Sequence, residues 1–171
     1  MKLPSAVLAA LAAALLAAGC SAFRYPMTLP AGTSTDEVRA RFGPPTGAYA
    51  LPGGGQRLEY ARGPLGRQTW MYDFDADAHL LGVAQVLTEK RFNEIRLGMT
   101  RDEVRTALGP PSESGIVGFS HQLVWSYRYD GPFCQWFRIG IDAQGLVEDT
   151  GYYIDPACDA DDNFFGMFRH R

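Results

Sequence analysis

The chain has 171 residues and a formal charge of −3, with 46% hydrophobic and 20% charged residues. That balance excludes a disordered polyelectrolyte, and it offers no basic surface for nucleic acid. The length is enough to bury a respectable core.

The chain opens with Met1-Lys2, and Ala6 to Ala18 is built only from Ala, Val and Leu. This apolar run falls short of the roughly 20 residues that span a bilayer. A basic start, a short apolar run and small residues before a cleavage point read as a secretory signal peptide over residues 1–19. Leu16-Ala17-Ala18-Gly19-Cys20 resembles the bacterial lipobox, whose cysteine is lipidated and becomes the new N-terminus. Ser21 follows rather than Asp, which under the sorting rule of many Gram-negative bacteria implies the outer membrane. A multiply acylated Cys20 meets the need for more than one lipid chain in stable anchoring. The expected mature protein is therefore tied to the membrane through Cys20, faces the periplasm and does not span. Residues 20–31 carry two prolines and no period, and read as a tether.

Two stretches then repeat one another at an offset of 66 positions. Gly32-Thr33-Ser34-Thr35-Asp36-Glu37-Val38 leads to Gly43-Pro44-Pro45, and Gly98-Met99-Thr100-Arg101-Asp102-Glu103-Val104 leads to Gly109-Pro110-Pro111. Ser34 with Glu37, and Thr100 with Glu103, have the spacing of a capping box. The glycines end each helix in a conformation that costs them little, and the prolines forbid its continuation. Short helices are expected over residues 35–42 and 101–108, with a further short helix over 88–95. Strands are expected over 57–61, 68–73 and 80–87 in the first copy, and over 123–129, 135–141 and 146–154 in the second. The period-two stripe of Leu123, Trp125, Tyr127 and Tyr129 is the clearest of these. Helices preceding hairpins in two copies point to an α+β fold. The first unit is read as 32–87, the second as 88–158, and 159–171 as a C-terminal tail.

The second copy carries a family resemblance. Leu97-Gly98-Met99-Thr100 through Val104, then Leu108-Gly109-Pro110-Pro111, Trp125-Ser126-Tyr127 and Asp142…Gly145-Leu146-Val147 resemble the SmpA/OmlA family of outer-membrane lipoproteins. That family includes the BamE subunit of the β-barrel assembly machine. The resemblance implies a tandem of BamE-like units, each with short helices packed on a three-stranded antiparallel sheet. It also implies a scaffold or accessory role in envelope or β-barrel protein assembly, with envelope proteins, including the barrel-assembly machinery, as partners. The chain departs from the family in carrying two copies, and Ser21 to Ala31 lacks the family's Tyr-x-x-Asp and Gln-Gly signals. In plan, tandem units of this kind are also similar to secreted β-lactamase inhibitor proteins, so a periplasmic protein-binding or inhibitor module is the alternative.

The residues offer no enzyme signature and no cofactor motif. His79, His121 and His170 sit in turns, before a strand, or at the end of the chain, and none adjoins a recognised nucleophile motif. Asp159-Ala160-Asp161-Asp162-Asn163 lacks the glycine and distal Glu of a calcium loop, and Gly53-Gly54-Gly55 lacks the Lys-Ser/Thr of a phosphate loop. No metal site is expected. Cys134 and Cys158 form an even pair in an oxidising compartment and read as a disulfide contributing about 3 kcal/mol. Most of the aromatic stripe reads as core. A docking surface is nonetheless expected from Tyr127, Tyr129, Phe133 and Trp136, because two short helices cannot cover both faces of a sheet. The Phe164–Phe168 stretch is expected to fold back near Cys134.

Overall fold

A computed structural model describes residues 29–63, 65–118 and 122–158. The proposed signal and lipidated Cys20, the histidines His121 and His170, and the acidic and aromatic tail lie outside those residues. The elements run α1 (Thr35–Phe42), β1 (Gly47–Ala50), β2 (Gln56–Ala61), β3 (Thr69–Phe74) and β4 (Leu80–Gln85). They continue with α2 (Glu89–Phe92), α3 (Arg101–Leu108), β5 (Glu113–Val117), β6 (Gln122–Arg128), β7 (Gln135–Ile141) and β8 (Val147–Ile154). The fold is α+β, with two antiparallel sheets ordered β1-β2-β3-β4 and β5-β6-β7-β8.

Each sheet has four strands, not the three expected. The extra strands are β1 and β5, each starting two residues past a Gly-Pro-Pro stop. Both are edge strands, so they carry no alternating apolar face to betray them. β1 is Gly-Ala-Tyr-Ala, and every residue of β5 is exposed. Their partners, β2 and β6, do the burying.

The sequence repeat has a bond-for-bond counterpart. Ser34 and Thr100 each cap a helix, with Glu37 and Glu103 reaching back to the cap N–H at 2.8 and 2.7 Å. That backbone hydrogen bond, together with the cap hydroxyl, holds both carboxyls below the ordinary glutamate range. The Tyr60 hydroxyl donates to the Gly43 carbonyl at 3.1 Å, and Tyr127 donates to Gly109 at 3.2 Å. Asp75 Oδ1 accepts from the Asp77 and His79 N–H groups; Asp142 Oδ1 accepts from Gln144 and Leu146. Even the bulges match, at Asp73/Phe74 and Gly140/Ile141.

Strand alternation stacks the two units in layers. Leu58, Tyr60, Tyr72 and Phe74 point to one face of the first sheet and pack with Val38 and Phe42 of α1. Met71, on the opposite face, joins Val86 and Leu87 in a second core with Phe92, Val104, Leu108, Trp125, Tyr127 and Ile139. The order is therefore α1, first sheet, α2 with α3, second sheet. Arg57 ties the layers together: it pairs with Asp73 at 2.6 Å and donates from Nη1 to the Thr106 carbonyl of α3 at 2.8 Å.

Gly43 and Gly109 both end their helices at φ near +80° with extended ψ, a region that glycine alone enters cheaply. Their surroundings differ. A Cβ on Gly43 meets nothing within 4 Å, whereas on Gly109 it would lie 2.9 Å from Thr69 Cγ2 and 3.0 Å from Glu59 Oε2. Gly109→Ala therefore carries the same backbone strain as Gly43→Ala plus a steric conflict between the layers. It is expected to cost about 1–3 kcal/mol more, read as the difference between the two variants in urea unfolding.

Candidate interaction surface

The aromatic residues expected to form a docking surface do not form one. Tyr127 is fully buried between α3 and the second sheet, with its hydroxyl on the Gly109 carbonyl. Tyr129 is buried against the Phe92 ring (centroids 5.0 Å), and its hydroxyl donates to Glu89 at 3.0 Å while accepting from Gln135. Trp136 lies on the other face of the same sheet, beneath the Arg128 and Arg138 guanidiniums. Phe133 alone of the four is open, at 72% exposed. For Tyr127 and Tyr129 the physical reason is the stacking: α2 and α3 cover the inner face of the second sheet more fully than two isolated short helices would, because the first sheet backs them.

The most deeply placed acid is Glu59, 1% exposed in the interface between the layers. Its carboxylate accepts from Thr46 Oγ1 at 2.6 Å and from the Tyr49 hydroxyl at 2.5 Å. Charge-assisted bonds of this kind offset the cost of burying the ion. Burial first, then the hydrogen bond to Glu59 and the Glu59 charge, push the Tyr49 phenol up to about 12, against the pull of the neighbouring Arg105 of α3. Tyr127 is raised as well, chiefly by burial. This cluster binds layer to layer. Strand alternation puts Glu59 on the face opposite Leu58 and Tyr60, and only the packing of the second unit buries that face.

Of the histidines, His79 sits in the β3–β4 turn, 3.8 Å from Asp75 and largely exposed. Among the described residues, no group of three or more His, Cys, Asp or Glu side chains is placed to hold a metal ion, and no helix is long and apolar enough to cross a membrane. Gly53 and Gly54 form a turn between β1 and β2. Cys134 and Cys158 are joined by a disulfide, with Cα atoms 6.2 Å apart.

An exposed apolar corner lies beside that disulfide. The Asp155 N–H donates to the Cys134 carbonyl, and Gln135 pairs with Ile154 across β7 and β8. Phe133 and Ile154 therefore stand on adjacent segments, and Ile154 is 71% exposed. β8 is an edge strand: Val147 at its start bonds to Gly98 and Met99, and past that point no strand among the described residues pairs with its outer edge. The corner is held rigid from behind, where Arg128 grips the buried Asp155 at 2.7 and 3.3 Å. Ile154 carries no sign of this in the sequence, because it lies at the end of a strand whose period suggests only core.

No family model matches the chain, and no curated protein does. Among solved structures, it is similar to a DUF4309 family protein, YjgB, of Bacillus subtilis subsp. subtilis str. 168, at 15% identity over 72% of this chain and 79% of that one, with a TM-score of 0.30. It is also similar to an extracellular protein containing a SCP domain from Bacillus anthracis str. Ames, at 9% identity over 77% of this chain and 49% of that one, with a TM-score of 0.29.

Both the half-buried Tyr49 phenol and the corner ion pair can be tested by substitution. Tyr49 has a folded pKa above its unfolded value of about 10, so its contribution to stability is complete below pH 10 and is lost as pH rises through 12. Tyr49→Phe should flatten that part of the stability–pH curve, as measured by urea unfolding in alkaline buffers. Arg128→Met leaves Asp155 buried and unpaired, and should lower stability by roughly 3 kcal/mol in the same assay.

Proposed function

We propose that this protein is a non-enzymatic lipoprotein of the outer membrane, anchored through Cys20 on the periplasmic side, that serves as a scaffold or accessory subunit in envelope or β-barrel protein assembly. The SmpA/OmlA resemblance of the second unit and the lipobox at Leu16–Cys20 support the location and the class of work. The observation that carries the binding role is the rigid, solvent-facing apolar corner of Phe133 and Ile154 at the end of the edge strand β8. Exposed apolar side chains on a braced edge suit a protein partner better than a small substrate.

The test is affinity purification of the lipidated protein from its own envelope in mild detergent, with the co-purifying proteins identified by mass spectrometry. Barrel-assembly subunits recovered in stoichiometric amount, and lost from a Phe133→Ser, Ile154→Ser double variant of unchanged melting temperature, are the expected result. Recovery of one soluble periplasmic protein instead would favour the protein-binding or inhibitor reading. Membrane retention of Cys20→Ser after signal cleavage would contradict the anchor.

A further inference from the structure

The last strand of each sheet, β4 and β8, opens by pairing its outer edge with a short extended stretch of its own chain. Gly32 donates to the Leu80 carbonyl at 3.1 Å and Leu80 donates to Thr33 at 2.9 Å; Gly98 donates to the Val147 carbonyl and Val147 to Met99, both at 2.8 Å. Beyond that point the backbone of β8 keeps presenting donors and acceptors outward. The Asp155 N–H donates to the Cys134 carbonyl, and Gln135 lies opposite Ile154. Antiparallel alternation then turns the N–H and C=O groups of Thr150, Tyr152 and Ile154 away from β7.

The first unit closes the same place on β4, and the second does not. Counted from the matching bulges, Gln85 opposite Trp70 is the equivalent of Tyr152 opposite Phe137, and Leu87 is the equivalent of Ile154. The Gln85 side chain donates from Nε2 to the Leu87 carbonyl at 3.2 Å, and its Oε1 accepts from the Leu87 N–H. One side-chain amide thus supplies the donor and the acceptor that a peptide group of a neighbouring strand would supply. Leu87 itself is buried. Tyr152 carries no such group, and its hydroxyl donates instead to Asn93 Oδ1 at 3.2 Å, at the end of α2. Ile154 is open, and among the described residues no group takes the part on it that Gln85 takes on Leu87. From Thr150 to Ile154 the edge also has no charged residue, proline or bulge to turn another strand away.

We infer that β8 takes up an extended segment of a partner polypeptide as a fifth strand of the second sheet, pairing along Thr150–Ile154. That stretch is about 13 Å long, enough for some five residues of the partner. Thr150, Tyr152 and Ile154 direct their side chains to the inner face, beside Ile139, Phe137 and Gln135. Every second residue of the incoming strand therefore lies next to Tyr152 and Ile154, where apolar side chains fit best. Backbone pairing supplies the attachment, and these alternate contacts supply the selectivity. The inference rests on the partner reading above and names the form in which the partner meets the Phe133–Ile154 corner.

The probe is a fluorescein-labelled peptide of alternating valine and threonine flanked by lysines, titrated against the full-length protein in mild detergent. Fluorescence anisotropy should show saturable binding. Tyr152→Gln should weaken it roughly tenfold more than Tyr152→Met does, because Gln has the length of Met but brings the amide that closes the edge on β4. Equal losses in the two variants, or no saturable binding to the unsubstituted protein, would overturn the inference. In amide exchange followed by NMR, the peptide should slow Tyr152 and Ile154 and leave Gly151 and Tyr153, which already bond to β7, nearly unchanged. Uniform slowing would overturn it, as would slowing that follows protein concentration without peptide, which would make a second copy the occupant. Barrel-assembly subunits recovered from the envelope by a protein that ignores the peptide would sink this mode of pairing and leave the scaffold reading standing. Peptide pairing with the expected alternation, but no envelope partner recovered, would do the reverse.

Discussion

The structure depends on a helix that serves two sheets at once. α3 presents Val104 and Leu108 to the second sheet and its backbone to the first, where the Thr106 carbonyl takes a hydrogen bond from Arg57. Its end must be a glycine, because Thr69 and Glu59 of the first sheet stand within 3 Å of where a side chain would begin. With no Cβ there, the Glu59 carboxylate can lie sealed between layers, held by Thr46 and Tyr49. Neither unit buries both faces of its sheet alone. The shared helix layer is what turns two small units into one body.

The same arrangement explains where function can and cannot lie. The acid–tyrosine cluster with the most perturbed groups is enclosed by the layers and acts as a fastening. Among the described residues, the large apolar side chains left most exposed lie in loops and on edge strands, Phe133 and Ile154 beside the disulfide among them. Arg128 and Asp155 stiffen that corner, and a braced apolar corner loses little entropy on binding.

Much of this is legible in the sequence. The capping boxes at Ser34 and Thr100 and the Gly-Pro-Pro stops define both helices, and the alternation at Leu123, Trp125, Tyr127 and Tyr129 defines the inner face of β6. The edge strands β1 and β5 are not legible, because a strand that buries almost nothing need not alternate. The fate of Tyr129 and Trp136 is not legible either. A local pattern says which side of a strand a residue takes, but not what another unit, 66 positions away, lays against it. Glu59 is the clearest case: a charged residue in a short strand reads as solvent-facing until both faces of that strand are known to be covered.

The most direct test of the layered, single-body account is native-state hydrogen exchange of the protein across its central strands. The account predicts one common opening free energy for the slowest amides of β2, β3, β6 and β7, with Glu59→Ala lowering all of them together. Exchange of β2 and β3 through an opening that leaves β6 and β7 protected, with Glu59→Ala affecting only the first pair, would contradict it.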